Sequence, residues 1–75
     1  MDMNFEAVVL KTGHVVQPGD ARTVPESLRV YGDADSLEQY HDNIRSVLEG
    51  AKVRTLDDMK TILEEAGYRV MRVTR

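Results

Sequence analysis

The apolar repeat of this chain changes twice, and the two changes divide it into strands, then helices, then a last strand. From Asn4 to Leu10 the residues are β-formers in alternation, with Phe5, Ala7 and Val9 on one face and Val8 and Leu10 on the other. Both faces are apolar at the end of that segment, which predicts a strand that is central or covered on both sides. From Leu37 onward the spacing becomes helical: Leu37, Tyr40, Ile44, Val47, Leu48 and Ala51 form one stripe. Leu56, Met59, Ile62, Leu63 and Ala66 form a second stripe, and Tyr68 to Thr74 returns to alternation.

Turn and cap residues punctuate these segments. Thr12-Gly13 predicts a tight turn, because Gly supplies the positive φ that hairpins need, and Val15-Val16 then returns antiparallel. Gln17-Pro18-Gly19-Asp20 has the chemistry of a type II turn. The stretch Thr23 to Gly32 supports two readings. Leu28 to Tyr31 forms a short strand, or Pro25 opens a helical turn that stops at Gly32; Val30 and Tyr31 favour the strand. Ser36, with Gln39 three residues on, predicts a capping box for the first helix, which Gly50 ends. Thr55 opens the second helix, with Asp57 and Asp58 in the first turn where the helix dipole favours negative charge. Gly67 closes it in the left-handed conformation.

The expected fold is α+β: a three- or four-stranded, mainly antiparallel sheet with both helices packed on one face, in the order β-β-(β)-α-α-β. Neither helix is long enough to be stable alone in water, so each must lay its stripe on the sheet. The other sheet face is then bare and carries some of Val8, Leu10, Val16, Met71 and Val73, an interaction surface by default. Residues 1–75 make a single domain. With 75 residues and no cysteine the core is thin and unstapled, so a compact monomer and a homodimer or obligate partner are both open.

Composition narrows the function classes. At 41% hydrophobic and 31% charged the chain is too apolar to be disordered. Its longest apolar run is Ala7 to Leu10, which excludes a membrane-spanning helix or a signal-peptide core and makes the cytoplasm the default compartment. The net charge is −3, with the surplus of acid in the middle and Arg69, Arg72 and Arg75 at the end. Direct nucleic-acid binding, which needs a basic face, is not expected. The partner is expected to be another protein or a nucleoprotein complex.

Reactive constellations are sparse. His14 and His41 are the only histidines; Glu38, His41 and Asp42 share a helical surface, but a metal site needs a further ligand. Asp33-Ala34-Asp35 resembles the start of a calcium loop, yet Leu37, Glu38 and Ile44 occupy the later ligand and glycine positions. No glycine-rich phosphate loop or nucleophile elbow is present, so a non-enzymatic protein without a cofactor is expected. The candidate partner-binding residues are Asp57, Asp58, Glu64 and Glu65 on helix two and Arg69 and Arg72 on the last strand. Carboxylates lined along a surface can imitate duplex phosphates and occupy a basic channel. The plainer alternative is a solvated face with Lys60–Glu64 and Asp57–Lys60 pairs.

Two resemblances bear on function. Asp35-Ser36-Leu37 looks like the Asp-Ser-Leu motif of acyl and peptidyl carrier proteins, which implies a phosphopantetheine arm on Ser36; those proteins begin with a long helix, and residues 4–24 here have strand and turn chemistry. Thr55-Leu56-Asp57-Asp58, followed by Gly67-Tyr68-Arg69-Val70 and Arg72-Val73, is similar to a pattern of small phage-encoded inhibitors of host machinery, including RNA polymerase inhibitors and anti-CRISPR proteins. That resemblance covers about a quarter of the chain and implies a protein-binding inhibitor without assigning a role to any residue.

Overall fold

In the computed structural model, which describes residues 3–17 and 25–74, four strands form one antiparallel sheet in the order β2-β1-β3-β4. They are β1 (Met3–Leu10), β2 (Val15–Val16), β3 (Glu26–Ala34) and β4 (Arg69–Thr74). Helices α1 (Leu37–Glu49) and α2 (Leu56–Glu65) lie between β3 and β4 in sequence and pack on one sheet face. The architecture is the expected α+β fold with the third strand present.

The hairpin turn follows from Gly13. Its N–H donates to the Leu10 carbonyl at 2.8 Å, and its φ of 89° closes a three-residue loop. That loop sets Val9 opposite Val15 and Val8 opposite Val16. The type II turn expected at Gln17 to Asp20 lies, but for Gln17, outside the described residues.

Strand β3 is longer than the sequence suggests. Expected over Leu28 to Tyr31, it begins at Glu26 and continues through Gly32 and Asp33 as far as Ala34. The reason is tertiary. Phe5 stands opposite Gly32, and the rings of Tyr40 and Tyr68 lie over the glycine, where a Cβ would meet them. Glycine in a strand interior here marks a close approach of aromatic rings rather than a break.

Cross-strand register sorts the side chains. Ala7 faces Val30 and Val70 in one row, and Val9 faces Leu28 in the next. These residues meet Tyr40 and Ile44 of α1 and Leu56, Met59 and Leu63 of α2 in a single core. Tyr40 is wholly buried and ties the layers together, its hydroxyl donating to the Val30 carbonyl.

The five aliphatics expected on the opposite sheet face are all there by register, but they do not make a bare apolar patch. Val8 is 1% exposed, with Val16 on one side and Arg29 on the other; Leu10, Val16 and Val73 are half-buried. Only Met71, at 54%, is open to solvent. The next row is polar: Glu6, Tyr31 and Arg69 stand side by side, and Arg29 reaches Glu6 at 3.2 Å.

Candidate functional site

Helix α2 starts where Thr55 and Asp58 satisfy its first N–H groups. The Thr55 hydroxyl accepts from the Asp58 N–H at 3.1 Å, and the Asp58 carboxylate accepts from the Thr55 and Arg54 N–H groups at 3.3 and 3.2 Å. This is a complete capping box. Helix α1 has only half of one. Ser36 Oγ accepts from the Gln39 N–H at 3.1 Å, but the Gln39 side chain turns forward to Asn43 at 2.8 Å instead of back to Ser36. The C-terminus of α2 ends as Gly67 implies. Gly67, at φ 102°, donates to the Glu64 carbonyl, and Tyr68 donates to that of Leu63, the paired bonds of a Schellman ending.

The six candidate residues do not converge. Arg72 forks between Asp57 at 2.9 Å and Glu26 at 2.8 Å, and Lys11 approaches the other oxygen of Glu26 at 3.6 Å. Asp57 therefore pairs across to the sheet and not with Lys60. Lys60 instead holds Glu64 at 2.9 Å, as expected. Asp58 is committed to the cap. Glu65 is exposed and takes part in no ion pair among the described residues. Arg69 lies on the far face of the sheet, its guanidinium 4.7 Å from the centre of the Tyr31 ring.

What does converge is the charge of the helical layer. Glu38, Asp42 and Glu49 of α1 and Asp57, Asp58, Glu64 and Glu65 of α2 fall on the sides turned away from the buried stripes. The two helices hold seven carboxylates against Arg45 and Lys60, a net of −5. The four strands hold three acids and three bases and are balanced. Lys60 holds Glu64 at 2.9 Å, Arg45 lies only loosely against Asp42 at 3.4 Å, and Arg72 of the sheet holds Asp57 at 2.9 Å.

The basic residues gather elsewhere. A groove of about 450 Å³ lies between the β1–β2 hairpin and the connection from α1 to α2. Lys11, His14, Arg45 and Arg54 surround it, and Leu48 and Val53 contribute to its apolar lining. The sequence reading missed this groove. Its residues come from three separate segments, which no local sequence pattern joins.

Neither histidine joins a cluster. Among the described residues no group of three or more His, Cys, Asp or Glu side chains is placed to hold a metal ion. His41 is half-buried, and its Nε2 has no hydrogen-bond partner among the described residues. Burial, and then Arg45, push its pKa below the usual 6.5, against the pull of Asp42. Ser36 serves as a helix cap at the end of a strand, and the four-stranded sheet differs from the helical fold that the carrier resemblance implies. No described helix is long and apolar enough to cross a membrane.

Comparison with protein families, with curated proteins and with solved structures finds no match to this chain.

Proposed function

We propose that this protein is a non-enzymatic binding module that acts in the cytoplasm by laying its acidic helical layer on a basic surface of another protein or nucleoprotein complex. The observation that carries the reading is the segregation of charge: −5 on the two helices against a balanced sheet. Such a face steers a basic partner and excludes acidic ones, contributing on-rate and specificity more than raw affinity. An inhibitor that blocks a basic channel of a larger machine, as the phage-type resemblance implies, would use the face in this way.

The structure also decides which acids belong in the test. Asp57 and Asp58 hold the sheet edge and the helix cap, so reversing them disturbs the fold as well as the surface. Glu64 and Glu65 carry no such duty toward the backbone or the sheet. The double variant Glu64→Lys/Glu65→Lys is therefore compared with wild type in affinity capture from a lysate of the source, followed by mass spectrometry. The expected result is a protein retained by wild type, released by moderate salt and lost from the variant. Capture of the same proteins by both, with no salt dependence, contradicts the charge reading. Turnover of a small substrate by the purified protein contradicts the binding-module reading itself.

A further inference from the structure

We propose that the groove between the β1–β2 hairpin and the α1–α2 connection binds an acidic, extended segment of a partner protein that places an aliphatic side chain among its carboxylates.

On a chain of net charge −3, Lys11, His14, Arg45 and Arg54 surround one concavity, and Glu49 is the single carboxylate among its lining residues. The three cations among them, Lys11, Arg45 and Arg54, are not consumed internally. Arg54 makes no side-chain ion pair among the described residues. Lys11 and Arg45 make only loose ones, at 3.6 and 3.4 Å, with side chains 74% and 52% exposed. Loose exposed pairs contribute little and exchange readily for better partners. A carboxylate seated between two arginines gains charge-assisted, two-pronged hydrogen bonds that a surface lysine alone does not offer.

Leu48 and Val53 give the groove a place for an apolar side chain. Because it opens to solvent, it cannot enclose most of a small molecule, as small-ligand pockets do. An extended peptide needs only one side chain seated and its carboxylates spaced along the rim. The acidic outer faces of α1 and α2 repel such a segment everywhere else on the helical layer and favour this entrance.

The test is fluorescence anisotropy with a labelled short peptide, Asp-Glu-Leu-Asp-Glu-Leu, at low and physiological salt. A second peptide has serine in place of both leucines, and a labelled single-stranded oligothymidylate serves as a third probe. Saturable binding of the leucine peptide is expected, weaker at higher salt. Binding should weaken about tenfold in Arg54→Glu and in Arg45→Glu, the loss expected for a charge-assisted hydrogen bond. Glu64→Lys/Glu65→Lys lies outside the groove and should not weaken it. Circular dichroism confirms that each variant is folded. The proposal is overturned by absence of saturation at millimolar peptide, by unchanged affinity in both arginine reversals, by equal binding of the serine peptide, or by tighter binding of the oligonucleotide.

Discussion

Arg72 of the edge strand β4 donates to Asp57, fifteen residues earlier in the first turn of α2, at 2.9 Å, and its other nitrogen donates to Glu26 of β3 at 2.8 Å. One guanidinium thus ties a helix start to two neighbouring strands. Its hydrogen bond holds the Glu26 carboxyl below the ordinary 4.5, with burial opposing and the charges of Arg72 and Lys11 assisting. The folded state therefore binds this proton less tightly than the unfolded one. Its stabilisation is present above 4.5 and disappears as pH falls through the lower folded value. The melting-temperature difference between wild type and Glu26→Gln should stay constant down to about pH 5 and shrink below it. In Arg72→Gln, the Glu26 carboxyl should titrate closer to its ordinary value by NMR. A difference that persists unchanged into strong acid contradicts this account.

Gly32 sits under two rings. A Cβ at this position would lie 2.6 Å from Tyr68 Cδ1 and 3.2 Å from Tyr40 Cε1. Gly32→Ala should destabilise by about 1–3 kcal/mol, the cost of overpacking a site where the Tyr68 ring has to shift to admit the methyl group. Tyr68→Ala removes the nearer ring, so the double variant should be more stable than the two single losses added together. Urea unfolding of the four proteins measures the coupling; strict additivity would show that the ring does not constrain Gly32.

Most of the fold was legible because local chemistry and tertiary structure agree. Gly13, Ser36, Thr55 and Gly67 mark the turn, both helix starts and the second helix end, and the stripes through Tyr40 and Leu63 are buried as their spacing implies. Reading failed where a distant residue overrides a local signal. Gly32 does not end a strand, because aromatic rings from α1 and from the residue before β4 occupy the space beside it. Gln39 does not complete a capping box, because Asn43 competes for its amide. The candidate site was less legible still. That Arg72 reaches Glu26 and Asp57, while Arg69 turns to Tyr31, depends on the β3–β4 register, in which Leu28 stands opposite Arg72 and Tyr31 opposite Arg69.

The capping box gives Asp58 a structural role that separates it from its acidic neighbours. Its carboxylate accepts two backbone N–H groups, and its own N–H is taken by Thr55. Asp58→Ala and Thr55→Ala should each cost about 1 kcal/mol. Asp58→Lys should cost more, since it also places a cation at the positive end of the helix dipole. Glu65→Lys, at the other end of α2, should be neutral or slightly stabilising for the same reason. Chemical denaturation of the series measures the order; equal losses for Asp58→Lys and Glu65→Lys would contradict it.

Tyr40 couples the helical layer to the centre of the sheet. Its ring is 5.9 Å from that of Phe5 and 5.8 Å from that of Tyr68, and its hydroxyl donates to the Val30 carbonyl with no exposure to water. Tyr40→Phe keeps the ring packing and removes only that bond, so it should cost about 1–2 kcal/mol. Burial, assisted by the negative charge of nearby groups, pushes the phenol well above its ordinary 10.0. Here the folded state holds the proton more tightly than the unfolded one. Stability is therefore undiminished below 10.0 and falls as pH rises above it, because the unfolded chain ionises first. Tyr68 is also raised by burial, and Tyr31 by the Glu6 carboxylate beside it, so Tyr40→Phe should reduce the alkaline loss of stability without abolishing it. Urea midpoints at neutral pH and at about pH 11 separate the two effects. The variant should start lower and decline less steeply, and parallel declines would mean that the Tyr40 hydroxyl keeps its ordinary acidity in the folded protein.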